Sequence, residues 1–217
     1  MFHRIKVSER RAKTEKGNSL IEFGLMMLFL VPLFMGMTTF GIGLGKMIQA
    51  SQICRDAGHM FVRQVDFSQT PNKKLIERVA VGMNMTVDGG DGTVVLTQVL
   101  MIGPNECAGG GLSTAACTNL GFPVITQRIV IGNQALFASS IGSPPSNYLN
   151  ADGTIPVDKY LKEASCRAGT LTNANNTGLL TLQNSERTYV SEAYFKAPEL
   201  AFLNRGVPMQ LSARNYF

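Results

Sequence analysis

A chain of 217 residues, 45% of them hydrophobic, is long enough to bury the core of one modest domain. Its net charge of +5 is unevenly spread, because residues 1–17 hold six basic and two acidic side chains and the remaining 200 residues hold 14 and 13. A near-neutral body behind a basic N-terminal tail argues against nucleic-acid binding and is typical of a membrane protein.

The basic tail is followed by residues 24–45, which carry no charge. A helix of that length spans roughly 30 Å, the hydrocarbon thickness of a bilayer. We therefore predict a single-pass transmembrane helix with a cytoplasmic N-terminus and an exported body. The alternative is a cleaved secretory signal peptide, whose apolar region is usually shorter, about 7–15 residues. The nearest cleavage site for that alternative, residues 48–50, fits poorly.

The helical pattern continues past the apolar segment, so we predict one transmembrane and spine helix over residues 18–66. Its outer half carries an apolar stripe at three- and four-residue steps, formed by Met47, Ala50, Cys54, Ala57, Phe61 and Val65. Pro32 lies inside the helix and predicts a kink or local unwinding, because proline removes a backbone hydrogen bond. The small residues Gly41 and Gly45 predict a surface for close helix–helix packing in lipid.

Residues 67–217 predict an extracytoplasmic α+β domain with a small antiparallel sheet packed on the spine helix. Thr70 and Pro71 read as the start of a helix, and residues 88–92 as a tight turn. Residues rich in β-branched and aromatic side chains predict strands at 93–102, 123–131, 188–197 and 207–216. Residues 157–167 predict a short helix, and residues 132–156 give no clear pattern.

The four cysteines suit an exported body. Cys107 and Cys117 bracket a glycine-rich loop that closes easily, so we predict a disulfide between them. Cys54 and Cys166 are candidates for a second disulfide, although the sequence does not fix that pairing. No histidine or cysteine spacing indicates a metal site, and no cofactor is predicted.

Two further features bear on chemistry. The turn at residues 88–92 offers Asp88 and Asp91 as calcium ligands, but the acidic residues that would complete such a site are missing, which favours a plain turn. No nucleophile stands near a base in any recognisable pattern. We therefore predict that the protein is not an enzyme.

The junction between tail and helix reads KGNSLIEF, residues 16–23. A basic leader, a glycine, and a glutamate five residues after that glycine resemble a type IV prepilin processing site. The aromatic Phe23 directly after Glu22 is similar to the signature of tight-adherence (Tad) pilus components, and residues 17–41 resemble the opening of TadE-like minor pilins, or pseudopilins. The C-terminal residues 188–215 are similar to the end of that family.

The resemblance implies cleavage by a prepilin peptidase between Gly17 and Asn18, which removes the leader at residues 1–17. It also implies that Glu22 pairs with the new N-terminus of a neighbouring subunit during pilus assembly. The partners implied are other pilin subunits, an inner-membrane assembly platform and the lipid bilayer. The resemblance also implies that the protein itself lies in the inner membrane and later enters an extracellular or periplasmic filament. Two alternatives stay open: a signal-anchored envelope protein whose outer domain binds a ligand or surface, and a type II secretion pseudopilin.

Overall fold

The computed structural model describes residues 6–136, 139, 141–169, 171, 180–198, 200, 201 and 206–217, with side chains from Ser19 onward. The fold is α+β, as predicted. In chain order its elements are α1 (Lys6–Val62), α2 (Thr70–Val79), β1 (Met85–Thr86), β2 (Gly89–Gly90), β3 (Gly92–Met101), α3 (Pro104–Gly109), β4 (Pro123–Gly132), α4 (Val157–Lys162), β5 (Arg187–Ala197) and β6 (Met209–Tyr216).

The chain divides into two compact units, Met1–Gly45 and Lys46–Phe217. The boundary between the two units lies inside α1, because the outer turns of α1 pack on the sheet of the second unit. The first unit is described as the helix α1 up to Gly45. The second unit, which we call the body, contains every other element.

The C-terminal end of α1 lies at Val62, four residues before the predicted end. Gln64 adopts the left-handed conformation with φ 63°, and the amide of Val65 donates to the carbonyl of Met60 at 3.1 Å. This is the Schellman pattern, which ends a helix by capping its last carbonyls. The left-handed residue is usually Gly or Asn, and the absence of either explains why the sequence did not reveal this end.

The body is built around a four-stranded antiparallel sheet with the order β4-β3-β5-β6. One face packs on α1 through a core that includes Ala50, Cys54, Ala57 and Phe61, the middle of the predicted stripe. Met47, at the start of that stripe, is 54% exposed instead. The opposite face is covered by residues 141–169 and 171, which contribute Ile141, Ile155, Cys166, Ala168 and Leu171 to a second core.

The strand predictions are close to the observed bounds, and the helix at 157–167 is shorter than predicted. Helix α4 ends at Lys162 and is followed by a separate 3₁₀ turn at Ala164–Cys166. The segment that gave no pattern, residues 132–156, lies partly along the edge of β4. There Gln127 forms a bridge with Thr154, and the amide of Ile155 donates to the carbonyl of Thr126 at 2.8 Å.

Candidate functional site

The proposed processing junction lies on α1. Gly17 and Asn18 are within the helical backbone. The side chain of Asn18 lies outside the described residues, as do residues 1–5 of the leader entirely. Glu22 and Phe23 follow on the same helix and are exposed. Within the part of the chain that the structure describes, no basic side chain forms an ion pair with Glu22.

The segment of α1 that follows Glu22 is long and apolar enough to cross a membrane. Its most apolar stretch has a mean hydropathy of 2.1, and none of that stretch is buried in the fold. A membrane anchor and a signal sequence both have this character. The hydroxyls of Thr38 and Thr39 donate to the carbonyls of Phe34 and Met35 at 2.8 and 2.7 Å, which satisfies these polar groups inside the helix itself.

Pro32, Gly41 and Gly45 lie where the sequence placed them. Helix α1 continues through Pro32 without a break, so the local unwinding that we considered is not present. No side chain approaches within 4 Å of the position that a Cβ would take at Gly41 or Gly45. The small-residue surface is therefore open to another helix.

The disulfide between Cys107 and Cys117 is present, with the two Cα atoms 5.9 Å apart. Together with Leu100, Ile102, Val124 and Leu161 it forms a third core at one end of the sheet. Helix α3, which carries Cys107, is fixed at its start by the Glu106 carboxylate, which accepts a hydrogen bond from the Gly103 amide at 2.8 Å. The predicted disulfide between Cys107 and Cys117 is confirmed.

The second disulfide that we considered does not form, because Cys54 and Cys166 are buried free thiols in different cores. Cys54 lies between α1 and the sheet, where its thiol donates to the Ser191 carbonyl at 3.1 Å. Cys166 lies on the opposite face of the sheet. Burial raises the pKa of both thiols, which keeps them protonated and unreactive at neutral pH.

A buried ionic cluster on the face of the sheet opposite α1 was not expected from the sequence. The Glu192 side chain is fully buried and accepts hydrogen bonds from Arg214 Nη2 at 2.6 Å, Tyr194 Oη at 3.0 Å and Ser139 Oγ at 2.5 Å. Burial, followed by the charge of Glu192, raises the pKa of Tyr194 to about 12. The available sequence signal was a carboxylate in the middle of one predicted strand and a base in the next predicted strand.

Arg128 lies on the same face, with Nε 3.2 Å from the Thr97 hydroxyl and Nη1 2.5 Å from the Gly142 carbonyl. Burial lowers its pKa to about 10, and the charge of Glu192 opposes that shift. The guanidinium therefore holds residues near Gly142 against the sheet. The arrangement explains how a mostly irregular segment is fixed over this face.

An open cavity of about 580 Å³ lies beside β4, lined by Lys73, Arg128, Asp152, the apolar side chains of Phe67 and Leu149, and several hydroxyl and amide groups. Its polar groups and size are those of a small-molecule site in principle. The carboxylate of Asp152 already has partners, because it accepts hydrogen bonds from the amide and hydroxyl of Thr154 at 2.9 and 2.6 Å.

The acidic turn at residues 88–92 forms part of a small hairpin. Strands β1 and β2 pair across Val87 and Asp88, and Gly90 takes a φ of 81° that favours glycine. The Asp91 carboxylate accepts a hydrogen bond from Asn84 Nδ2 at 2.6 Å. Among the described residues, no three side chains of the His, Cys, Asp and Glu types are grouped closely enough to hold a metal ion.

The chain matches no protein-family model, no curated protein and no solved structure.

Proposed function

We propose that the protein is a non-enzymatic minor pilin or pseudopilin of the TadE-like kind, used in assembling a Tad or type IV pilus. The observation that carries this proposal is the position of Glu22, an exposed carboxylate at the start of an unburied apolar helix and five residues after Gly17. A helix that buries none of its apolar stretch within its own fold needs an environment outside the chain. Lipid before assembly, and a bundle of neighbouring helices afterwards, both supply one.

In this proposal a prepilin peptidase cuts between Gly17 and Asn18 at the cytoplasmic face of the inner membrane. The basic leader keeps that end in the cytoplasm, since Lys and Arg next to an apolar helix resist translocation. Cleavage removes most of the positive charge from the tail and creates an α-amine on Asn18. The body, with its disulfide, then lies on the oxidising side of the membrane.

Glu22 then specifies how subunits align. A carboxylate within a bilayer costs about 3 kcal/mol when nothing compensates its charge. The α-amine of Asn18 on a neighbouring subunit is a cation at the right end of the helix, and their attraction is strong where the dielectric constant is low. A subunit that enters the filament out of register leaves both charges unpaired. The charge pair therefore favours one axial position over all others.

The first experiment is the mass of the N-terminal peptide of the membrane-extracted protein. A chain that starts at Asn18 supports prepilin processing, whereas a start at Met1 or near Ser51 contradicts it. Gly17→Ala is expected to retain the leader and to block assembly while membrane insertion persists. Gly24→Ala is the matched control, because a Cβ at Gly24 meets no atom within 4 Å and the site lies past the junction.

The pairing role of Glu22 needs its own test. Glu22→Gln keeps the size of the side chain and removes its charge, so the variant is expected to be inserted and cleaved but to enter filaments poorly. Asp56→Asn, an exposed carboxylate farther along α1, is the control and is expected to assemble normally. Normal incorporation of the Glu22→Gln subunit would refute the pairing role.

A second candidate function is a signal-anchored envelope protein whose body binds a ligand, and the cavity beside β4 is the observation that favours it. This candidate predicts an uncleaved chain that starts at Met1, and a ligand whose binding is lost in Lys73→Ala. Cleavage at Gly17 together with filament incorporation would exclude it.

A further inference from the structure

Helix α2 presents to solvent a surface of two bases and three aliphatic side chains. This surface, which we call the α2 surface, consists of Lys74, Leu75, Arg78, Val79 and Val81. Val81 is 76% exposed, the highest value among the large hydrophobic residues of the body that the structure describes. We propose that the α2 surface rests on the anionic headgroups of the bilayer that α1 enters, and holds the body against the membrane before assembly.

The α2 surface is a fixed feature of the fold. Residues 74, 75, 78 and 79 lie one turn apart in pairs, so their side chains share one face of the helix. The opposite face carries Ile76, which together with Ala80 just past the helix is buried in the core against α1 and the sheet. That burial sets the rotation of α2, because turning the exposed aliphatic residues inward would bring buried ones out. The bases and aliphatic groups therefore stay side by side in solvent.

The α2 surface ends at the part of the body that is joined to the apolar segment. A Cβ at Gly82 would lie 3.8 Å from Gln49 Oε1, which places the residues after α2 beside the first turns of the body's part of α1. Lys46 lies one turn before Gln49 and follows Gly45 directly, at the Cα spacing of about 3.8 Å that any peptide bond imposes. Covalent connection alone therefore keeps this end of the body near the membrane that α1 enters.

Two more exposed aliphatic residues lie at the same end of the body, Met47 at 54% and Ile48 at 59%. Aliphatic side chains next to Lys and Arg are the composition of surfaces that lie in the headgroup region, where the apolar groups enter the acyl boundary and the bases meet phosphate. Each base near an anionic leaflet contributes binding of about fivefold. Glu77, the one acidic residue of α2, is partly buried and only partly opposes them.

A lipid surface also fits better than a protein partner. Lys74, Leu75 and Arg78 border an open depression of about 510 Å³ along α2. A fluid leaflet adapts to such a surface and needs no partner of matching shape. The membrane is present at high local concentration because the same chain is anchored in it. The proposal requires only that α1 crosses the bilayer, so it holds whether or not the protein assembles into a pilus.

The chain contains no tryptophan, so one introduced indole reports on one position. Val81→Trp in the full chain would be reconstituted at one copy per lipid nanodisc, with lipids brominated close to the headgroup as quenchers. Discs of phosphatidylglycerol would be compared with discs of phosphatidylcholine. Val157→Trp is the matched control, because Val157 is also exposed, at 46%. Val157 is the first residue of α4, and α4 packs beside the disulfide at the Met101 end of β3. That end of the strand lies roughly 30 Å from Gly92, at its other end.

We expect strong quenching of the indole at 81 in the anionic discs, and weak quenching of the indole at 157. Lys74→Gln and Arg78→Gln are each expected to lower the ratio of bound to unbound body about fivefold. Lys162→Gln, an exposed base on α4, is expected to leave it unchanged. Equal quenching at both positions, or quenching at 81 that ignores lipid charge and the two bases, would overturn the proposal.

An indole at 81 that becomes shielded only when two chains share a disc would assign the α2 surface to a second copy, and would also overturn it. Insertion of α1 is checked separately by flotation of the protein with the lipid. Because the N-terminal mass tests processing and this experiment does not depend on it, failure of one proposal is distinguishable from failure of the other.

Discussion

Replacing Glu192 with Gln removes the charge from a fully buried carboxylate while its size stays the same. The side chain lies between β5 and β6 on the face opposite α1, and Arg214 contacts the same carboxylate oxygen through Nε at 2.9 Å and Nη2 at 2.6 Å. Arg214 is only 28% exposed, so water does not replace the lost partner fully. The change therefore removes one negative charge from the surroundings of a partly buried cation.

The expected cost follows from this geometry. Two unit charges 2.6 Å apart attract by about 6 kcal/mol at an effective dielectric constant of 20. The desolvation of Glu192 is no longer required in the variant, which returns part of that energy. Breaking a buried pair on one side typically costs about 3–5 kcal/mol, and we expect the Glu192→Gln variant to fall in that range. For a body of this size the melting temperature should drop by about 6–20 °C.

The assay is thermal unfolding of the full chain in detergent, with Asp158→Asn as the matched control. Asp158 forms an exposed ion pair with Lys159 at 3.7 Å, and its loss should cost less than about 1 kcal/mol. Adding Arg214→Gln to the Glu192→Gln variant should recover part of the lost stability. If Glu192→Gln lowers the melting temperature no more than the surface control does, the Glu192 carboxylate does not stabilise this face of the sheet and our reasoning is wrong.

Three further predictions concern the body. Removing the Cys107–Cys117 disulfide by a double Ser substitution should lower the free energy of unfolding by about 3 kcal/mol for a loop of this length, and an unchanged melting temperature would contradict this. Gly92→Ala should lower the free energy of unfolding by about 1–3 kcal/mol, because its Cβ would overlap the buried ring of Phe195. Gly109→Ala is the control and should be neutral, since its Cβ meets no atom within 4 Å. Equal effects in the two variants would argue against overpacking. Tyr194 should resist ionisation up to a pH of about 12, and the late step in a near-ultraviolet absorbance titration should vanish in Tyr194→Phe. The pKa of this phenol is near 10 in the unfolded chain. The neutral phenol of Tyr194 therefore contributes to the free energy of unfolding below pH 10, and this contribution is lost as the pH rises to about 12. The difference in stability between the natural chain and Tyr194→Phe should change over the same pH range.

Local patterns in the sequence predicted much of this fold. The β-branched run at 93–102 became β3 at Gly92–Met101, and the run at 123–131 became β4 at Pro123–Gly132. Such runs are reliable because strands buried on both faces need apolar residues at nearly every position. The cysteine pair at 107 and 117 was equally readable, since a ten-residue separation with glycines closes easily.

Long-range partners were less readable. Cys54 and Cys166 have plausible sequence positions for a bond, yet the sheet separates them, and only the topology reveals that. The ion pair between Glu192 and Arg214 depends on the register of β5 against β6. A shift of one residue would place the two side chains on opposite faces of the sheet. The processing segment remains a prediction from its residues alone, because its proposed partners, a peptidase and neighbouring subunits, are separate molecules.

The strand order has a consequence for how the body folds during synthesis. The central strand β3 pairs on one side with β4, which follows soon after it, and on the other side with β5. Even the β3–β5 pair that is closest in sequence, Leu100 and Arg187, is far apart along the chain. Closing a loop of roughly 90 residues costs on the order of 4 kcal/mol in chain entropy. Until residues 187–197 have been synthesised, one edge of β3 has no strand to pair with. A chain that stalls or is truncated before that point exposes an apolar strand edge, which is the kind of surface that nucleates aggregation and that quality-control proteases recognise.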